Sequence, residues 1–354
     1  MSRFPSLRPR RMPGLAAGGS GVFAVAFALA LALLCAALAP RPVWAADLVV
    51  YSGRGERFTE PVIQAFRKKT GIATQALVAD TTALLTRLEE EGDRTEADVF
   101  LTNYAGMLDL ARQKGLLQPY RSAHVSNVPK EFHGPDDMWI AGSARARVIV
   151  YNKALVDPKK VRSMADIARP EWDGKLGITI SSNASFIGGV AAMIKQDGED
   201  KVRRFLAGIK RNAGDRVYPS HTPVISAVAR GEIALGLVNH YYFYRALAAE
   251  PNAPIGIIFP DQDTTGAVTT ITGLGITRHA RHAAAARQFV DFVLSDEGQK
   301  IFAEVNFEFP VNPHVERDPA LPKPGTVKFA PVSQALQTEA IDRAVELIRA
   351  EGMQ

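Results

Sequence analysis

The chain has 354 residues, 47% of them hydrophobic and 22% charged, with the charges well dispersed. That excludes a disordered or fibrous polypeptide and allows two domains of roughly 100–200 residues. The 42 Lys and Arg against 37 Asp and Glu give +5, but Arg3, Arg8, Arg10, Arg11 and Arg41 account for all of it. The remainder is electrically balanced, so a nucleic-acid partner loses its main support.

The first 45 residues read as an export signal. A basic stretch is followed by an apolar run over residues 22–39, then Pro40 and Pro42, then Val43-Trp44-Ala45. This is the order of a cleaved secretory signal, with the cut after Ala45 and a periplasmic product. The competing reading is a membrane anchor, since 18 apolar residues border on a bilayer span of about 20. Cys35, the single cysteine, lies inside the apolar run behind Leu34, which is too large for a lipoprotein signal. The exported chain thus has no thiol, which excludes disulfides, zinc–thiolate sites and a cysteine nucleophile.

From Asp47 onward strand and helix patterns alternate. Residues 48–51 form a short apolar strand, and residues 58–69 a helix with Val62, Ile63 and Phe66 on one face. Residues 73–78 and 98–102 read as strands around a helix capped at Asp80 or Thr81 and carrying Leu84, Leu85 and Leu88. Residues 139–151 are long and extended, ending in Val148-Ile149-Val150-Tyr151. Alternation then resumes: a strand at 176–180, helices at 186–196, 201–211 and 224–230, a strand at 233–238 and a helix at 241–249. A second extended stretch, 269–277, precedes helices at 283–294 and 296–305. The pattern predicts α/β architecture, a parallel sheet with helices on both faces. Two such units joined by extended segments predict two lobes with a strand hinge and a ligand cleft between them.

Three of the eight tyrosines fall in Asn239-His240-Tyr241-Tyr242-Phe243-Tyr244, directly after an apolar strand. The carboxyl end of a strand is where α/β folds meet ligands, although aromatics at such a junction also serve as core packing. A phenol with a pKa near 10 is a poor anion at neutral pH. A hard trivalent cation changes that, and ferric iron suits phenolate oxygen. The turn Ser52-Gly53-Arg54-Gly55-Glu56 and the run Ser181-Ser182-Asn183-Ala184-Ser185 are candidate anion seats. Arg145 and Arg147 share one strand face, and their bland reading is a solvated edge. No nucleophile elbow, phosphate-binding loop or zinc-protease motif is present. His279 and His282 read as surface without an acidic partner, and Asp261-x-Asp263 as a turn.

Taken together, the chain resembles the periplasmic ferric-iron-binding proteins of bacterial ABC importers, also called bacterial transferrins. The resemblance is carried by Val50-Tyr51-Ser52-Gly53-Arg54, Lys69-Thr70-Gly71-Ile72, Glu90-Glu91-Gly92-Asp93 with Ala97-Asp98-Val99-Phe100, and the run from Arg145 to Lys153. Trp172-Asp173-Gly174-Lys175 and Asn239-His240-Tyr241-Tyr242 complete it. It implies the two-lobed type-II periplasmic binding protein fold, each lobe a central β-sheet flanked by helices, joined by a two-strand hinge. One lobe is expected from residues 46–145 and 268–320, the other from 146–267 and 321–354. It further implies a monomeric, non-enzymatic carrier that passes ferric iron to an inner-membrane ABC permease and its ATPase.

Carried over residue by residue, the resemblance makes Tyr241 and Tyr242 metal ligands, with Tyr151 as a third. Branches with a histidine ligand after the first strand would place it at Gly55, and the acidic ligand of one branch falls on Asn103. The histidine–glutamate version of the site is therefore excluded. The three-tyrosine version remains, with Arg54 helping to hold carbonate or a similar anion. Arg145, Ser182 and Asn183 join that anion seat, and Glu56, Asn103 and Asn239 stand as additional candidates. Two alternatives stay open: a binding protein of the same fold for an anion or small organic solute, and a secreted hydrolase, for which no nucleophile–base pair is visible.

Overall fold

Leu48–Ser52 (β1) is buried at four of its five positions, as expected of a strand covered on both faces. The computed structural model describes residues 46–353 apart from 324, 331 and 332, so the export signal and its cut lie outside the described residues. Helix α1 (Glu56–Thr70) buries Phe58, Val62, Ile63 and Phe66 and ends at Gly71, whose φ of 74° suits a residue without a side chain. Then come β2 (Thr74–Val78), α2 (Thr81–Glu91) capped by Asp80, β3 (Val99–Thr102), α3 (Ala105–Gln113) and β4 (Leu117–Gln118). The long strand β5 (Ile140–Asn152) is buried at twelve of its thirteen positions.

The second half contains β6 (Leu176–Thr179), α4 (Ala184–Asp197), α5 (Glu199–Ala213), β7 (Val217–Tyr218) and α6 (His221–Ala229). It continues with β8 (Leu235–Asn239), α7 (His240–Ala249), β9 (Ile255–Ile258) and β10 (Thr269–Thr277). The helices α8 (Ala283–Leu294) and α9 (Asp296–Glu304) lead to β11 (Phe309–Pro310), α10 (Gln334–Glu339) and α11 (Ile341–Ala350).

The strands form one sheet in the order β2-β1-β3-β10-β5-β8-β6-β7, with β4 on β10 and both β9 and β11 on β5. The flanks are parallel, β1 with β2 and β3, and β6 with β7 and β8. The centre is antiparallel, β10 with β3 and β5, and β5 with β8. The expected parallel sheet is therefore mixed. Residues 140–146 of β5 pair with β10, and residues 147–151 pair with β8. One strand thus links both halves.

Two hydrophobic clusters hold these halves. One contains Leu48, Phe66, Leu108, Phe289 and Phe302; the other contains Ile149, Trp172, Phe205, Leu206 and Leu347. Burying each such side chain contributes about 1.5–3 kcal/mol. Among the described residues no helix is long and apolar enough to cross a membrane.

Candidate metal-binding site

Strand β8 runs Leu-Gly-Leu-Val-Asn, buried throughout, and Asn239 at its end adopts the extended N-cap geometry of α7. Tyr241 and Tyr242 therefore sit in the first turn of a helix, where unpaired N–H groups and the helix dipole favour negative charge. Their rings lie 4.4 Å apart at 31°, side by side. Tyr241 also meets Phe58 edge-on at 5.6 Å, and Tyr242 lies 4.8 Å from the His221 ring. Burial, followed by the charge and hydrogen bonding of Tyr241, pushes the Tyr242 pKa well above its ordinary value. Tyr242 is therefore protonated at neutral pH until a cation displaces the proton.

Cationic groups surround the pair. Arg54, Arg145 and Arg147 are 3%, 1% and 2% exposed. The turn after β1 that carries Arg54 is closely packed: a Cβ on Gly53 would lie 1.9 Å from Thr81 Oγ1. Arg54 donates Nη1 to Glu308 Oε2 at 2.8 Å and Nη2 to Glu308 Oε1, with Thr272 Oγ1 as a further acceptor. Burial opposes its charge, but Glu308 more than offsets that, with Tyr241 and Tyr242 adding, so its pKa is raised.

Arg145 donates to the carbonyls of Asn103 and Ile271, and Arg147 to Asn239 Oδ1 at 3.0 Å. Among the described residues neither pairs with a carboxylate, and burial lowers the pKa of both, that of Arg147 to about 9. Three buried guanidiniums thus face two phenols with one buried carboxylate, Glu308, among them. Such an excess of positive charge favours phenolate and bound anions. Arg145 and Arg147 are not the solvated edge that their alternation suggested, because β5 is covered on both faces.

Tyr151 does not join the pair. The antiparallel register sets Arg147 opposite Asn239 and Tyr151 opposite Leu235, four residues from the end of β8 that carries α7. At about 3.3 Å per residue that is ~13 Å along the strand. Its ring instead covers Gly256 on β9. Of the three expected tyrosines, the structure brings together Tyr241 and Tyr242 and leaves Tyr151 apart. Glu56 is exposed in the first turn of α1, and Ser182 is exposed ahead of α4. Asn183 caps α4 by accepting from Ser185 N–H at 3.0 Å, the ordinary structural use of such a residue.

Asn239 bridges Arg147 to Ser185 Oγ, which it reaches at 3.0 Å, while Asn103 Oδ1 is buried without a partner among the described residues. His282 does have an acid, Asp98 Oδ2 at 3.0 Å, which corrects the expectation that it lacks one, while its side chain remains 41% exposed. Among the described residues no cluster of three or more His, Cys, Asp or Glu exists that could hold a metal.

A family model for bacterial extracellular solute-binding proteins matches residues 95–337. The chain belongs to that family. This solute-binding protein is 32% identical over 283 residues to iron uptake protein A1 of Synechocystis, covering 78% of this chain and 79% of the relative. It is 30% identical over 331 residues to the major ferric iron-binding protein of Neisseria meningitidis serogroup B, covering 91% and 98%. Among solved structures it is similar to the ferric binding protein from Campylobacter jejuni (TM-score 0.80, 29% identity, 87% of this chain and 100% of that one). It is also similar to iron-bound HitA from Pseudomonas aeruginosa (TM-score 0.80, 30% identity, 86% and 99%). These likenesses give it the fold of type-II periplasmic binding proteins, and its named relatives are binding and uptake proteins rather than enzymes.

Several residues of the solute-binding protein's site escape sequence reasoning. Glu308 sits in Asn-Phe-Glu-Phe, with nothing local to mark it. His221 is 3% exposed with Nδ1 unpartnered among the described residues, yet stands in an unremarkable Ser-His-Thr-Pro run. Phe58 opens the expected helix 58–69, but its contact with Tyr241 depends on the tertiary fold.

Proposed function

We propose that the protein captures ferric iron in the periplasm through the phenolates of Tyr241 and Tyr242, with a bound anion completing the coordination. It then delivers the iron to an inner-membrane ABC permease and its ATPase. The observation that carries this reading is the 4.4 Å tyrosine pair at a helix N-terminus, faced by buried guanidiniums in excess of carboxylates. Hard phenolate oxygens match a hard trivalent cation, and the arginines match the negative charge that cation must bring with it. The ferric names of the relatives support the cargo. In this reading residues 1–45 are the cleaved signal and the monomer closes its two lobes, 46–145 with 268–320 and 146–267 with 321–354, on the cargo.

The test is metal analysis with a visible spectrum of the purified protein. A red protein, with a phenolate-to-iron band lost on chelation, supports the reading. A colourless protein that takes up no iron and retains an anion favours the same-fold anion carrier.

A further inference from the structure

Strand β5 changes partner within one peptide bond. Ala146 is its last residue opposite β10, and Arg147 is its first opposite β8, where it faces Asn239. On the edge away from β10, β11 pairs with β5 as far as Ala144, and the β8 ladder starts at Arg147. Residues 145 and 146 thus lie in a gap of that ladder. Successive N–H groups of a strand point to opposite edges. Arg147 N–H reaches the Val268 carbonyl on the β10 side, so Ala146 N–H points into the gap. There the chain has left β8 at Asn239 and entered α7. His240, the first residue of α7, fills the place. Its Nδ1 accepts from Ala146 N–H at 3.1 Å, and both residues are fully buried.

The same ring lies flat on Phe309 of β11, at 4.2 Å and 4°, and meets Tyr241 edge-on at 5.9 Å. It therefore joins three elements: the crossing point of β5, the strand β11 beside it, and the turn that carries the tyrosine pair. An N–H donated to Nδ1 requires the neutral tautomer with its proton on Nε2. Position, rather than charge, is what this imidazole supplies. A buried N–H without an acceptor is costly, so the bond resists displacement of α7 relative to β5. The first turn of α7 holds Tyr241 and Tyr242, and a shift there moves both phenol oxygens.

We propose that His240 is a positioning residue for the metal site: its bond to Ala146, with Phe309 orienting the ring, fixes the first turn of α7 at the strand crossing, and ferric affinity depends on that placement. This rests on the ferric reading of the tyrosine pair. His240 is itself no ligand, since its Nδ1 is committed to Ala146 and its ring face to Phe309. It acts as the partners of metal ligands do elsewhere, by holding a donor where the cation needs it.

The test measures ferric affinity by chelator competition, together with the visible band of the loaded protein, in the full exported chain and its variants. His240→Phe keeps a stacking ring and removes the acceptor, and should bind iron at least about tenfold more weakly, with a shifted band. His240→Asn restores an acceptor near the place of Nδ1 and should recover most of that loss. Leu206→Ala, a truncation in the other hydrophobic cluster, should lower the melting temperature yet leave affinity and band unchanged. In the unmodified chain, imidazole nitrogen chemical shifts should show His240 protonated at Nε2 and bare at Nδ1, a readout that stands even if His240→Phe does not fold. Parental affinity and an unshifted band in His240→Phe overturn the proposal, as does a His240→Asn variant no better than His240→Phe. A Leu206→Ala loss as large as that of His240→Phe, or a proton found on Nδ1, overturns it too. No iron bound by the parent defeats the ferric reading itself, which separates the two failures.

Discussion

Arg54, on the turn after the first strand, is forked onto Glu308, 254 residues further along the chain, with both side chains withdrawn from water. Glu308 also accepts from Ser143 Oγ on the long central strand. The chain's own carboxylate therefore occupies the guanidinium that the sequence resemblance assigned to an exogenous anion. Arg54 is thereby held in place as a buried positive charge that acts on Tyr241 and Tyr242.

Glu308→Gln should destabilise the protein by about 3–5 kcal/mol, because it strands a buried guanidinium. Adding Arg54→Met should recover much of that loss, since removing both partners costs less than removing one. Urea denaturation of the two single variants and the double variant measures both effects. A Glu308→Gln variant as stable as the parent would show that the pair has no structural weight.

Tyr241→Phe and Tyr242→Phe should each weaken ferric binding by more than about a hundredfold, since loss of even a supporting contact to a metal ligand typically costs 10–100-fold. The rings still pack on Phe58 and His221, so melting curves should move little. Tyr151→Phe should bind iron like the parent, given its place on Gly256. Competition against a chelator of known affinity ranks the three. A Tyr151→Phe variant that loses iron would reinstate the third ligand.

Iron affinity should fall as pH falls. Burial and Tyr241 raise the Tyr242 pKa, so Tyr242 is protonated across the neutral range, and its proton must leave when the phenolate binds. With two phenolates formed, log affinity should drop by about two per pH unit. Proton release measured in weak buffer should give about two per ferric ion. A value near zero would mean that the phenols do not ligate.

Asp261→Asn should stabilise the protein at pH 7 and above. Burial, then repulsion from Asp197 and Asp166, raises the Asp261 pKa to about 6 from 3.8, despite the Met164 N–H it accepts. With the folded pKa above the unfolded one, the native state binds more protons between these values. Its relative stability is full below about pH 3.8 and is lost as pH rises through 6. Asparagine keeps the acceptor and tolerates the local φ of 60°. The gain should be about 1–2 kcal/mol at pH 8, once solvent screening is allowed for, and should vanish near pH 4. Thermal melts at the two pH values test it.

Local periodicity made much of the fold legible. The expected extended stretch 269–277 coincides with β10, the expected 139–151 with β5 to within a residue, and the helix at 283–294 with α8. The two-residue strands β4, β7 and β11 were not legible, because two residues carry too little pattern, and β9 was not read either. Tyr241 and Tyr242 were legible as adjacent phenols after an apolar strand. Tyr151 was misplaced because its distance from the pair depends on the register of β5 against β8, which local alternation does not encode. Glu308 reaches the site through tertiary packing of the segment before β11, so spacing along the chain could not associate it with Arg54.

The central claim is that Tyr241 and Tyr242 ligate ferric iron as phenolates, and a visible-absorption titration with a ferric chelate tests it most directly. The parent should develop a charge-transfer band that saturates at one iron per chain, and the Tyr241→Phe, Tyr242→Phe double variant should develop none. A band that persists in the double variant, or stoichiometric iron uptake by the parent without a band, would contradict the account.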